Sequence, residues 1–267
     1  MSIAISAKVS EGLVIGADSL IIAEKFDEES KKPVIVYTLR DVKKLNQVKD
    51  YPISIMSWGI GFIGTRSIGS LVDEFGYSLP DYSDGLDYTL EEISQKFYNF
   101  ILRRYKEINP DKSDNPKYKL GVLVAGFSRE RFFPNEFKFI LPASTGIEEI
   151  RPDDKKGDPQ FGISWYGICD GIERLHMGCD LGLKGELSEI LKEKGLETEE
   201  INKIFSKYEY KTNFSTMPIK GAIDFVYYLI NLMIGRCRFY ARTPFCAGDI
   251  DVAVMTYKGF KWLKAQE

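Results

Sequence analysis

Three polar residues near the start of the chain have the types and spacing of a hydrolytic site. Ser2 becomes the first residue if the initiator Met1 is removed, and we expect that removal because serine is small. A terminal serine carries a hydroxyl nucleophile and an amine base on one residue. Asp18 follows sixteen positions after Ser2, and Lys44 stands further along in the segment 41–45 (DVKKL). Together these residues predict a self-contained site for attack on an amide carbonyl.

The charges around such a serine decide whether it can act. A terminal amine has a reference pKa of about 7.7–8.0, and a neighbouring ammonium lowers it further. Lys43 or Lys44 can supply that cation, but only one of them can face Ser2, because neighbouring strand residues point to opposite faces. We expect Asp18 to hold the lysine charged and in position. The backbone at Gly59, where a strand turns into a helix, is suited to an oxyanion hole.

Each of these residues also has an ordinary structural interpretation. Serine is a common second residue, and Asp18 can simply cap the turn after a strand. Lys43 and Lys44 can be a half-exposed pair, and the glycines within 59–64 can form a tight turn without chemistry. The functional hypothesis therefore depends on the combination of residues and on their order.

The composition excludes several classes of function. The 267 residues carry a net charge of −3, with lysine and arginine scattered, so nucleic acid is a poor candidate partner. No apolar run approaches the roughly 18 residues that predict a membrane span, and nothing resembles a signal peptide. We therefore expect a cytoplasmic protein that contacts neither membrane nor nucleic acid.

Histidine and cysteine usage argues against a metal site. His176 is the only histidine, so a multi-histidine site is impossible, and we expect His176 to be structural rather than catalytic. The four cysteines, at 169, 179, 237 and 246, match no zinc spacing, and we expect them to be reduced and partly buried. Nothing in the sequence calls for a metal or an organic cofactor.

Apolar and alternating segments separated by turn residues predict a layered α+β fold. The predicted strands are 2–8, 12–18, 34–38, 42–48, 52–58, 119–127, 135–141 and a closing hairpin within 250–263. The predicted helices are 65–77, 89–107, one beginning within 165–178, and 219–240, with charged loops at 26–33 and 108–117. This order predicts two central sheets with helices outside, in a single domain 1–267 with a helical insertion at about 184–216.

Five segments in the same order carry a family resemblance. They are Ser2 followed by "IGADS" with Asp18, "VKKL" with Lys44, "SIMSWG…GTRSIGSLVDEF", "YKLGVLVAGFS" and "GDIDVAVMTYKGFKWL". Together they resemble the proteasome β-subunit family, including the bacterial HslV type, within the N-terminal-nucleophile (Ntn) hydrolases. The resemblance spans almost the whole chain.

The resemblance implies both a fold and an activity. The fold would be a four-layer α/β/β/α sandwich assembled into a homo-oligomer such as a ring, with an ATPase or another regulator as a possible partner. The activity would be that of a threonine-protease-like peptidase acting on peptide or protein substrates. Ser2 would be nucleophile and base, Asp18 and Lys44 its supports, and Gly59 an oxyanion donor.

The chain departs from the family pattern at several positions. Serine replaces the usual threonine, about ten extra residues lie between Asp18 and Lys44, and Cys169 follows a glycine turn that lacks the usual serine. Cys246 lies where a further supporting serine is expected. These departures leave a second hypothesis, a catalytically inactive structural or scaffold subunit of the same fold.

Overall fold

The computed structural model describes residues 2–27, 32–108, 118–239 and 245–263. In chain order its strands are β1 (Ile3–Val9), β2 (Gly12–Asp18), β3 (Ile21–Asp27), β4 (Lys32–Leu39), β5 (Leu45–Gln47), β6 (Ile53–Gly59), β7 (Phe62–Ile63), β8 (Arg66–Ser67), β9 (Leu120–Gly126), β10 (Asn135–Leu141), β11 (Glu148–Glu149), β12 (Gly162–Gly167), β13 (Ile250–Thr256) and β14 (Gly259–Leu263). Its helices are α1 (Ile68–Tyr77), α2 (Leu90–Ile108), α3 (Asp170–His176), α4 (Leu181–Glu193), α5 (Thr198–Phe205) and α6 (Ile219–Arg238).

Two five-stranded sheets form the centre of the fold. The first has the strand order β12-β1-β2-β13-β14 and the second the order β11-β10-β9-β6-β5. Helices α1 and α2 pack on the outer face of the second sheet, and α3 and α6 on that of the first. A third apolar cluster fills the space between the sheets. The predicted four-layer α/β/β/α sandwich is therefore confirmed.

Strands β1 and β2 lie at the centre of the first sheet and are buried along their whole length. Ile3 and Ile5 belong to the apolar cluster under α6, whereas Ala4 belongs to the cluster between the sheets. Burial on both faces explains why these strands read as nearly continuous apolar runs. Gly16 lets α6 approach closely, because a Cβ there would lie 2.8 Å from Val226 Cγ1.

Several helix and strand predictions hold with small shifts of boundary. Helix α2 begins after the predicted capping box: Glu92 N donates to Thr89 Oγ1 at 3.1 Å, and Thr89 N donates to Glu92 Oε2 at 3.2 Å. The helix predicted to begin within 165–178, after a glycine turn, is α3. The residues before that turn, Trp165 and Tyr166, form the end of β12 and pair with β1, a strand that the sequence did not predict. Most of the predicted loop 108–117 lies outside the described residues.

The extra residues between Asp18 and Lys44 form a two-stranded ribbon of β3 and β4, so the predicted loop 26–33 is wrong at both ends. Residues 28–31 lie outside the described part of the chain. Lys44 was placed within a strand 42–48, but the strand is only β5, and Lys44 immediately precedes it. The ribbon therefore accounts for the unusual spacing while Lys44 still reaches the central layers.

The region predicted as a helical insertion at about 184–216 contains α5 and most of α4. Ile201 and Phe205 form a small separate core with Cys179, and Leu191 packs against it. Along α4, by contrast, Leu183 and Ile190 are exposed. Within the described residues, no helix is both long enough and apolar enough to cross a membrane.

Candidate active site

The two ionisable residues of the predicted site form a buried ion pair. Lys44 Nζ donates to Asp18 Oδ1 at 2.7 Å, and their side chains are only 5% and 0% exposed. Asp18 ends β2 in the first sheet, and Lys44 leads into β5 in the second, so the pair joins the sheets at one end of the sandwich. Burial lowers the pKa of Lys44, while the charge of Asp18 opposes that shift. Perturbed buried pairs of this kind are typical of functional sites.

Backbone N–H groups complete the surroundings of the Asp18 carboxylate. Ile3 N donates to Oδ1 at 3.0 Å, and Leu20 N and Ala247 N each donate to Oδ2 at 3.3 Å. These donors come from β1, from the residues after β2 and from the segment before β13. Because a carboxylate that accepts several N–H bonds is fixed in orientation, Asp18 can hold the Lys44 ammonium in one place.

Ser2 immediately precedes a residue that binds this pair. Its neighbour Ile3 donates to Asp18, and its own carbonyl oxygen accepts from Ile168 N at 2.9 Å. Gly167 has φ +91°, and a Cβ there would lie 1.9 Å from the Ser2 carbonyl oxygen, so only glycine fits. The predicted hairpin brings residues 2 and 18 together, but its register differs by one residue: Ala4 pairs with Ala17, which places Ile3 opposite Asp18. Met1 lies outside the described residues.

Of the two candidate lysines, the structure brings only Lys44 to Asp18. Lys43 is exposed, although neither lysine lies within the strand on which the argument from alternating faces depended. The backbone of Lys44 is also fixed, because its carbonyl oxygen accepts from Ser57 N at 2.8 Å. Ser57 lies on β6, the strand that ends at Gly59, so the lysine and the candidate oxyanion glycine are attached to the same strand.

Gly59 lies at the same end of the sandwich as Ser2. It has φ +92°, and a Cβ there would lie 2.1 Å from the Lys119 carbonyl oxygen, so the backbone requires glycine for structural reasons alone. Trp58, the preceding residue, stacks on Tyr166, whose strand pairs with β1. This contact places the end of β6 over the strand that follows Ser2.

Sequence reasoning missed two contributors to this site. Ala247 donates to Asp18 from 229 positions away, and no pattern in the sequence indicates that contact. Tyr166 was assigned to no strand, so its stack with Trp58 was not expected. Cys246, which the resemblance placed at a supporting serine, immediately precedes Ala247. Residues 240–244 of that segment lie outside the described part of the chain.

His176 lies away from these residues, at the end of α3. Its ring packs edge-on against Trp165, with centroids 5.4 Å apart, and burial lowers its pKa. All four cysteines are buried and carry free thiols. Among the described residues, no group of three or more histidine, cysteine or acidic side chains could hold a metal ion.

The fold and this geometry can be compared with known proteins. No protein-family model matches the chain, and no curated protein matches its sequence. Chains of solved structures do match: one is the Anbu (Gly-1) mutant from Hyphomicrobium sp. strain MC1. It is 13% identical, with a TM-score of 0.58, over 100% of this chain and 86% of that chain. The chain therefore has the proteasome-like fold of the Ntn hydrolases.

This result corrects the family expected from the sequence. Membership of the proteasome β-subunit or HslV-like family is wrong, because no family model matches and the similar structure reported above is an Anbu protein. At 13% identity the likeness defines the fold alone. Two of the short motifs that carried the resemblance, "LVAG" and "IDVAV", lie within the strands β9 and β13 of this fold.

Proposed function

We propose that the protein is a peptidase or amidohydrolase that uses Ser2 as an N-terminal nucleophile once Met1 has been removed. The observation that carries the proposal is the Lys44–Asp18 ion pair, which is buried next to Ser2 and tied to it through Ile3 N. A fixed ammonium beside a terminal serine amine favours the neutral amine, which is the form that can accept a proton.

The reaction has two halves. In the first, the Ser2 amine takes the hydroxyl proton as Oγ attacks the substrate carbonyl, and the backbone N–H at Gly59 stabilises the oxyanion. The amine then passes its proton to the leaving nitrogen, the C–N bond breaks, and an acyl ester remains on Ser2. In the second half, the amine deprotonates a water molecule that attacks the ester, and the proton returns to Oγ as the acid is released.

The partners follow from the same proposal. We expect a peptide or protein substrate, and we expect the chain to act as a homo-oligomer, in a ring or a smaller assembly, in the cytoplasm. An ATPase or another regulator is a further expected partner. The fold, which is shared with the Anbu structure, supports these expectations only through its architecture.

Intact-mass measurement, peptide hydrolysis and covalent labelling together test the proposal. We expect a mass that lacks Met1, turnover of fluorogenic peptides, and a covalent adduct with a peptide boronate or epoxyketone. Ser2→Ala should abolish both turnover and adduct, and Ser2→Thr, which keeps the hydroxyl, should retain both. Turnover that persists unchanged in Ser2→Ala would show that Ser2 is not the nucleophile.

The burial of the site favours a second candidate, a structural or scaffold subunit without catalysis. Ser2 is 2% exposed and Lys44 4% exposed, so a substrate reaches them only if neighbouring residues leave. In an inactive subunit Met1 would be retained, and the amine base would be consumed in a peptide bond. The same mass spectrum therefore separates the two candidates, because a mass that includes Met1 would exclude the proposed hydrolase function.

A further inference from the structure

Two buried thiols lie in contact beside the candidate active site. Cys237 is in the last turn of α6, Cys246 precedes β13, and their sulfur atoms are 3.0 Å apart. The two residues are 2% and 1% exposed. A disulfide has an S–S distance of about 2.0 Å, so closing this pair requires the sulfurs to approach by about 1 Å. Such a shift lies within the range of local backbone adjustment.

The pair is linked to the Asp18 carboxylate through one residue. Ala247, next to Cys246, donates its N–H to Asp18 Oδ2 at 3.3 Å. Gly248 follows with φ +83°, and a Cβ there would lie 2.5 Å from Ser19 Oγ, so this segment already packs closely against the end of β2. A displacement of Cys246 therefore reaches Asp18 through Ala247.

The charges of Asp18 and Lys44 also link the Cys246 thiol to the candidate active site. The Cys246 thiol is close enough to Asp18 and Lys44 for both charges to act on it, although burial is the main reason that its pKa is raised. A protonated, buried thiol reacts slowly with electrophiles, so a small reagent that exchanges with thiols is needed to oxidise it. Low-molecular-weight disulfides, such as glutathione disulfide, belong to this class.

We propose that Cys237 and Cys246 form a reversible disulfide that changes the hydrogen bonding of Asp18. One protein thiol loses its proton and attacks a sulfur of the small disulfide, which releases one small thiol and leaves a mixed disulfide. The second protein thiol then loses its proton and attacks the protein-side sulfur of that bond, which releases the second small thiol. Two protein thiols are thereby oxidised to one disulfide, and one small disulfide is reduced to two thiols.

The formation of this bond is tested without reference to catalysis. The purified protein is equilibrated with glutathione disulfide, remaining thiols are alkylated, and the peptides are mapped by mass spectrometry. We expect a linked Cys237–Cys246 peptide that dithiothreitol reverses, with a loss of two hydrogen atoms in intact mass. Cys169 and Cys179 are also buried and serve as controls: the double variant Cys169→Ser, Cys179→Ser should retain the bond. Recovery of Cys237 and Cys246 as alkylated thiols would overturn the proposal.

The coupling between the disulfide and Asp18 is tested by changing Asp18 and measuring how readily the disulfide forms. If the bond changes the interactions of Asp18, then Asp18→Asn must change the glutathione ratio at which the bond is half formed, by about tenfold. An equal ratio in the wild type and in Asp18→Asn would overturn the coupling, and circular dichroism would check that the variant is folded.

A further arm of the experiment rests on the proposed hydrolase function. Oxidation should slow peptide hydrolysis in the wild type and leave Cys237→Ser unaffected. If the reduced protein shows no hydrolysis at all, the proposed function fails, while the mapped disulfide and its shift in Asp18→Asn stand. If hydrolysis is present but oxidation leaves it unchanged in the wild type, the effect on the site is overturned.

Discussion

The indole ring of Trp58 stacks on the phenol ring of Tyr166, with ring centroids 4.2 Å apart and planes 13° from parallel. Trp58 lies on β6 of the second sheet and Tyr166 on β12 of the first, so the stack crosses the space between the sheets. Each aromatic residue immediately precedes a glycine of the candidate site, Gly59 or Gly167. The stack therefore ties Gly59, the candidate oxyanion donor, to Gly167, which packs against the Ser2 carbonyl oxygen.

Loss of this stack should affect stability and the proposed reaction together. Trp58→Ala removes a large ring that is 8% exposed, and we expect a loss of about 3–5 kcal/mol in the free energy of unfolding. Urea denaturation measures that loss. Trp58→Phe keeps an aromatic ring against Tyr166 and should cost less while retaining more peptide hydrolysis. Equal stabilities for the two variants would contradict a role for the ring stack.

Gly121 makes room for the same indole. A Cβ at this position would lie 2.0 Å from Trp58 Cε2, closer than any real contact, so Gly121→Ala must push the ring out of its stack. We expect a loss of about 1–3 kcal/mol in the free energy of unfolding, typical of an overpacked core. Gly146→Ala is the matched control, because a Cβ there meets nothing within 4 Å, and it should leave the denaturation midpoint unchanged.

Local chemistry made much of the fold predictable. The Thr89 cap, the apolar face of α1 and the hairpin of β1 and β2 each depend on residues close in sequence, and each is confirmed. The hairpin also made the approach of Asp18 to the start of β1 predictable. The contact of Lys44 with Asp18 joins two different sheets, and only the family resemblance indicated it.

Contacts between distant residues were not predictable in the same way. The strand that contains Tyr166 was not predicted, because only its pairing with β1, far away in the sequence, defines it. The contact of Ala247 with Asp18 uses a backbone N–H, and every residue type except proline has that group. The identity of the side chain therefore carries no information about this contact. The pairing of β13 with β2 brings Ala247 to Asp18.

A second buried charge cluster occupies the opposite end of the space between the sheets. Arg151 forms an ion pair with Glu136, which is fully buried, and donates to Ser164 Oγ at 2.6 Å. Ser6 Oγ also donates to Glu136. Lys8 is buried close by, and burial lowers its pKa against the opposing charge of Glu136.

Removing one charge of this cluster should cost more than removing all three. Arg151→Met takes away the cation that is paired with the Glu136 carboxylate, and we expect a loss of about 3–5 kcal/mol in the free energy of unfolding. The triple variant Lys8→Met, Arg151→Met, Glu136→Leu leaves no unpaired buried charge and should recover much of that loss. Guanidinium denaturation of the wild type and both variants measures the difference. A triple variant less stable than Arg151→Met would contradict this account of the cluster.

The proposed mechanism also predicts how Lys44 sets the acid side of the pH profile. The Ser2 amine must be neutral to act as a base, and the Lys44 ammonium lowers the amine pKa below its reference of about 7.7–8.0. Lys44→Met removes that cation, so the acid limb of kcat/KM should move to higher pH. Lys43→Met is the matched control, because Lys43 is exposed, and its profile should follow the wild type.

The alkaline side of the same profile depends on the charge of Lys44 itself. Burial lowers the pKa of Lys44 from its ordinary value of 10.5, so the ammonium loses its proton at a lower pH than an exposed lysine would. A lysine is charged only below its pKa, and the wild-type rate should therefore fall before pH 10.5 is reached. Lys44→Arg carries a guanidinium that stays charged in this range, so whatever activity it retains should persist to higher pH. An alkaline limb at the same pH in the wild type and in Lys44→Arg would exclude the titration of Lys44 as its source.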